Sequence, residues 1–199
     1  MPSCGIDLNP LSTFVAKVKT RRYSRADRSI FLALSKKILR SSRRIKPYPR
    51  PAYPLLSKLF LQDSLDALLR LKAAILRVDN SKLRDLFFCS WLSIIESSSN
   101  VFKEGNGLKY RNKRRKPGKY VTVPDKEWIP RYFGPSVSAF VESAWRRQCN
   151  EIAEDIESFR LSPGSAPRIR TGSCFHPANL DFGRKFDLVI FSPPYANRF

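Results

Sequence analysis

Phe186-Asp187-Leu188-Val189-Ile190-Phe191-Ser192-Pro193-Pro194-Tyr195 decides how this chain is read. The run Asp187–Phe191 is almost continuously apolar, which is the pattern of a strand buried on both faces of a parallel sheet. Such a strand delivers Ser192 to its carboxyl end, where open α/β sheets place their ligand sites. Pro193 and Pro194 then fix the backbone and remove two N–H donors. Nearby carbonyls are left as acceptors with little local competition. These parts suit a planar base bearing an exocyclic amine. The Ser192 hydroxyl and the Pro193 carbonyl accept from the amine, and Tyr195 offers a face for stacking. Holding both N–H bonds in this way turns the nitrogen lone pair toward a methyl donor, so alignment and electrostatics carry the chemistry. The plain alternative is a strand, a proline turn and a packed tyrosine. The apolar run ahead of the tetrad favours the more specific reading.

The other end of the chain supplies a second strand signal. Cys4-Gly5-Ile6-Asp7-Leu8 reads as the end of a short buried strand, and Asn9-Pro10 as an N-cap with proline at the first helical position. Leu11, Phe14, Val15 and Val18 predict a helix over Pro10–Lys19. Ile30, Phe31, Leu34 and Ile38 predict another over Arg28–Leu39. Pro47, Pro49, Pro51 and Pro54 make the next stretch extended. Helices are predicted over Ser64–Leu76 and Ser81–Ser97, with Asp79-Asn80-Ser81 as turn and cap between them. Lys103–Pro135 reads as loop-rich. A further helix starts at Ser136 or Ser138 and ends near Arg160, before Ser162-Pro163-Gly164-Ser165. Strands are predicted over Arg168–Thr171 and Phe186–Phe191. The order strand, helices, strand, strand predicts an α/β domain with a helical insertion.

Phe186–Tyr195 resembles motif IV of the S-adenosylmethionine-dependent DNA amino-methyltransferases, which methylate N4 of cytosine or N6 of adenine. Gly5-Ile6-Asp7-Leu8-Asn9-Pro10 resembles their motif II. The resemblance implies that Asp7, with Gly5 beside it, ends a strand and binds the ribose hydroxyls of S-adenosylmethionine. It implies for Ser173, in Thr171-Gly172-Ser173, the position after motif III that is often acidic and lies near the cofactor's adenine. Ser192, Pro193, Pro194 and Tyr195 become the catalytic tetrad. The implied fold is a partial Rossmann-like sheet built from the strands of motifs II, III and IV. Residues 1–25 and 161–199 then belong to the catalytic domain, and 26–160 form the insertion. The glycine-rich loop of motif I is not found ahead of Gly5, and in this family its strand lies between those of motifs II and IV. The resemblance therefore implies a fragment or split subunit, completed by a second chain that carries motif I. Such a chain binds S-adenosylmethionine weakly when alone. An RNA base as methyl acceptor, or a catalytically inactive nucleic-acid-binding remnant, are the alternatives.

Charge points the same way. Thirty-seven Lys and Arg against seventeen Asp and Glu give a net charge of +20, which favours a polyanionic partner. DNA leads, with an anionic membrane surface second. Lys109, Arg111, Lys113, Arg114, Arg115, Lys116 and Lys119 interleave with Tyr110 and Tyr120, a mixture suited to phosphate contact with stacking nearby. The bland reading of the run is a solvated loop. A second basic region spans Lys36–Arg50. Trp91 and Trp145 read as core, Trp128 as either core or function, and His176 as structural. Four dispersed cysteines without a Cys-x-x-Cys pair argue against zinc and against a disulfide framework. No membrane span or secretory leader is predicted, and a cytoplasmic location follows.

Overall fold

Asp7 ends the first strand and prepares the first helix. Its Oδ1 accepts from the Asn9 N–H at 2.8 Å, and the Asn9 side chain in turn accepts from the Leu11 N–H at 2.9 Å. Pro10 then occupies the first turn, where a missing N–H costs nothing. This junction belongs to a computed structural model that describes residues 3–105, 107–158, 166–183 and 185–191. The fold is mixed α/β, mainly helical, with short two-stranded sheets.

In chain order the elements are β1 (Cys4–Asp7), α1 (Pro10–Lys19), α2 (Arg25–Ser42), α3 (Leu56–Leu59), α4 (Gln62–Ile75) and α5 (Ser81–Ile95). Then follow β2 (Val101–Glu104), β3 (Gly107–Tyr110), β4 (Lys113–Lys116), β5 (Lys119–Thr122), α6 (Asp125–Phe133), α7 (Val137–Ser158), β6 (Arg168–Thr171) and α8 (Pro177–Leu180). The chain divides into two compact units, one of residues 1–21 with 163–199 and one of residues 22–162.

In the first unit, β1 pairs in parallel with β6, Cys4 opposite Arg168 and Asp7 opposite Thr171. Helix α1 covers the pair through Thr13, which is buried, and Val18. Among the described residues this parallel sheet has two strands. The larger Rossmann-like sheet is not shown. The segment 186–191, expected as a doubly buried strand, pairs with neither β1 nor β6. Ile190 is 86% exposed and Phe191 78%. The physical reason is that periodicity reports what a segment is suited to bury; a central strand also needs an edge on either side and cover on both faces. What does anchor this region is Phe182, buried against the Phe186 ring, with the Arg170 guanidinium 4.5 Å from its centroid.

The second unit is a helical core. Helices α2, α4, α5 and α7 pack together around a stack in which Phe31 and Phe87 lie 4.4 Å apart and Phe87 and Trp145 5.9 Å apart. Trp145 donates its indole N–H to the Ser35 carbonyl at 3.3 Å, so its burial leaves no orphan donor. Trp91, half-buried, donates likewise to the Leu68 carbonyl at 2.8 Å. Three of these helices, α2, α5 and α7, start where a polar side chain takes a loose N–H, whereas α4 starts after Leu61 without one. Ser24 and Asp27 form a reciprocal capping box on α2, Asn80 caps α5, and Ser136 accepts from the Ala139 N–H to start α7. Helix α2 is longer than predicted and its buried face is shifted: Phe31, Ser35, Ile38, Leu39 and Ser42 are inside, while Ile30 is exposed. At the open end of the unit, Arg28 donates to the Ala153 carbonyl at 2.9 Å, and Arg25 lies 3.6 Å from Glu157. The predicted end of α7 near Arg160, and the stop at 162–165, lie outside the described residues.

The stretch expected to be loop-rich is ordered into two hairpins and a helix. Strands β2 and β3 pair antiparallel, as do β4 and β5. Trp128 is on α6, buried, with its indole N–H on Asp125 Oδ1 at 2.9 Å.

Candidate functional site

Two places gather the residues singled out from the sequence, one in each unit. The first is the carboxyl end of the β1–β6 pair. Gly172 donates its N–H to the Asp7 carbonyl at 3.0 Å, so the turn Thr171-Gly172-Ser173 leaves β6 directly beside Asp7. Parallel pairing puts both carboxyl ends on one edge, which brings Asp7 and Ser173 together from distant parts of the chain. Asp7 is exposed. The bond to Asn9 occupies part of its acceptor capacity, and a carboxylate has several further lone-pair sites. The Ser173 hydroxyl accepts from the Phe175 N–H at 3.2 Å. Leu8 and Phe175 stand exposed next to these residues, at 72% and 78%. Gly5 sits in mid-strand opposite Ile169, and a methyl at its Cα would meet open space, so packing does not demand glycine there. Ser192, Pro193, Pro194 and Tyr195 lie outside the described residues. His176 precedes α8, away from any group of metal-ligating side chains among the described residues.

The second place is the β4–β5 ribbon of the helical unit. Pro117 and Gly118 link Lys116 to Lys119, with Gly118 at φ +74°, a conformation that a side chain would strain. Facing residues of an antiparallel pair share a side. One face therefore carries Lys113, Arg115, Tyr120 and Thr122, and the other Arg114, Lys116, Lys119 and Val121. On the first face Lys113 donates to the Thr122 hydroxyl at 2.6 Å. On the second Arg114 lies 3.2 Å from Glu127 of α6. The ribbon projects with almost every side chain exposed.

The other two basic residues of this run are engaged differently. Lys109 on β3 pairs with Glu104 across the first hairpin. Arg111 is drawn inward: it donates to the Ser99 carbonyl at 3.0 Å, and its guanidinium lies 4.0 Å from the Tyr132 ring and 5.2 Å from Phe102. Burial pushes the Tyr132 phenol above its ordinary range, and the Arg111 charge opposes this. The structure thus makes Arg111 a brace between the first hairpin and α6, and leaves the cationic surface to the ribbon. Sequence reading missed the ribbon itself. The signal was Pro117-Gly118 between two runs of equal length, obscured because four consecutive cations show no apolar alternation.

Other surfaces offer less. Glu142 is held below the usual carboxylate range chiefly by its hydrogen bond from Arg43, with Arg146 adding to it. This ties α2 to α7 and is structural. None of the described helices is long and apolar enough to cross a membrane. No family model, curated protein or solved structure matches this chain, so its own residues carry the functional reading.

Proposed function

We propose that this chain is part of an S-adenosylmethionine-dependent nucleic-acid amino-methyltransferase, acting on the exocyclic amine of cytosine or adenine in DNA. The observation that carries the reading is the parallel register of β1 with β6. It leaves Asp7 and the turn that leads into Ser173 at the same end of the strand pair, which supports reading them as the motif II and motif III positions. A carboxylate at a strand end is suited to accepting two ribose hydroxyls, and Leu8 and Phe175 offer apolar cover for a ring beside it. The net charge of +20 and the exposed cationic ribbon support a nucleic-acid substrate. Ser192, Pro193, Pro194 and Tyr195 would grip the target amine. The segment 186–191, apolar and unpaired, fits a need for a complementary chain carrying the intervening strand and the glycine-rich cofactor loop.

A second reading, nucleic-acid binding without methyl transfer, is favoured by that same segment, which pairs with neither β1 nor β6. Expression in cells lacking DNA methyltransferases separates the two. The chain is produced alone and with a chain bearing the cofactor loop, and DNA and RNA nucleosides are analysed by mass spectrometry. N4-methylcytosine or N6-methyladenine in DNA from the paired expression is the expected result. Methylation confined to RNA would move the substrate. DNA binding with no methylated base in either would establish the binding-only alternative.

A further inference from the structure

The helical unit contains a cavity of about 420 Å³ at the root of the β4–β5 ribbon. Its size falls in the range of small-molecule sites. It is lined by the aromatic residues Phe60, Tyr110 and Trp128, by Lys58 and Lys113, and by Asp125, whose carboxylate accepts from the Trp128 indole. Lys113 is also the first residue of the ribbon, so the cavity and the cationic finger are continuous.

Asn112 is the polar group that distinguishes this cavity. Its backbone is fixed on both sides: the N–H donates to Asn100 Oδ1 at 3.2 Å and the carbonyl accepts from the Val123 N–H at 2.8 Å. The Asn100 side chain is spent on this bond and on donating to the Lys58 carbonyl at 3.3 Å. The Asn112 side chain is not spent in this way: its Oδ1 is shielded from water and has no hydrogen-bond partner. A shielded acceptor without a donor carries a desolvation penalty that an incoming N–H would relieve. Asn112 lines the cavity, and because the terminal torsion of an asparagine is soft, rotation about it can turn the amide toward the cavity. A side-by-side acceptor and donor is the complement of a nucleobase edge.

We infer that this cavity receives a single unstacked nucleobase from a strand whose phosphates lie along the ribbon. Phe60 and Tyr110 supply ring contacts, Asn112 the edge contact, and Lys58 and Lys113 the flanking phosphate contacts. Trp128 is a positioning residue, held by its bond to Asp125. The inference rests on the ribbon being a nucleic-acid contact, and it adds that the base, not only the backbone, is recognised in this unit. It is separate from the tetrad at 192–195.

The test uses the full chain and two single-stranded oligomers of equal length, one of adenine nucleotides and one fully abasic, with binding followed by fluorescence anisotropy at fixed salt. The base-bearing oligomer should bind about tenfold or more tightly, the effect expected of one stacked base. Asn112→Leu and Tyr110→Leu should each remove most of that preference, whereas Lys116→Ala should weaken both oligomers alike. Equal binding of the two oligomers by the unsubstituted chain overturns the pocket and leaves the ribbon reading standing. No binding of either overturns both. Should the substitutions disturb folding, photo-crosslinking of a thio-base oligomer to the unsubstituted chain decides. Adducts on the peptides holding Tyr110 or Phe60 support the inference, and adducts confined to other peptides overturn it.

Discussion

The hydroxyls of Thr13 and Thr171 lie 2.6 Å apart, joining the buried face of α1 to the last residue of β6. Thr13 also reaches the Pro10 carbonyl at 3.1 Å, so this hydroxyl fastens the helix start to the same strand end that carries Gly172 and Ser173.

Replacing Thr13 with valine keeps the volume and removes the bond, leaving the Thr171 hydroxyl without its partner. A cost of about 1–2 kcal/mol is expected for the β1–β6 unit. Amide hydrogen exchange at Arg168 and Gly172, which donate to the Ser3 and Asp7 carbonyls, should accelerate by roughly 5–30-fold. The double variant Thr13→Val/Thr171→Val should recover part of the loss, because both polar partners are then gone. Unchanged exchange in the single variant would show that the contact contributes nothing.

Asp27 is held at about 2, below its ordinary 3.8, first by the Lys82 ammonium and then by the Ser24 N–H. A depressed carboxylate contributes stability above its unfolded value and loses it as pH falls from near 3.8 through about 2. Asp27→Asn should therefore lower the denaturant midpoint of the helical unit at pH 7, by the equivalent of about 0.5–1 kcal/mol for a partly exposed cap and ion pair. The difference from the parent chain should shrink as pH falls from near 3.8 and be lost only below about 2. A difference that persists below that pH would assign the effect to something other than the carboxylate charge.

The ribbon's two faces are not equivalent. Arg114 is engaged with Glu127, whereas Arg115 shares its face with Lys113 and Tyr120. Arg115→Ala should lower DNA affinity and reduce the slope of log affinity against log salt by about one, the signature of one lost phosphate contact. Arg114→Ala should do less. Reversed ranking, or a slope untouched by both, would remove the ribbon from the contact surface.

Burial pushes the Cys149 thiol up to about 12, against a small opposing effect from Ser90. The thiolate is the reactive form, so Cys149 should resist alkylation at pH 8 until the helical unit unfolds. Cys174 is exposed and should react first. Mass spectrometry of the chain after brief maleimide treatment, with and without denaturant, checks this order.

The readable parts of the sequence were those in which one residue type forces a local outcome. Asn9-Pro10 and Asn80-Ser81 fixed helix starts, because a capping side chain and a missing N–H permit few alternatives. The strands at Cys4–Asp7 and Arg168–Thr171 were also legible. Three things were not. The span of α2 was underestimated because its buried face includes Ser35 and Ser42, whose hydroxyls bond back to the Leu32 and Leu39 carbonyls. The ribbon was hidden by its charge. The segment 186–191 announced its apolarity, but whether a strand forms there depends on neighbours that no local pattern encodes.

The ion pair of Arg25 with Glu157, and the bond from Arg28 to Ala153, close the helical unit at the points where the chain enters and leaves it. During synthesis β1 emerges long before β6 and must wait for its only described strand partner. Helices α2 to α7 can fold in that interval, since their contacts need nothing from either strand. Once they do, the chain flanking residues 25 and 157 is held close, and the search of β6 for β1 shrinks from a walk over the whole intervening chain to one over the short tethers on either side. The helical unit can thus serve, in kinetic terms, as a clasp: closing it shortens the search by which the parallel pair forms.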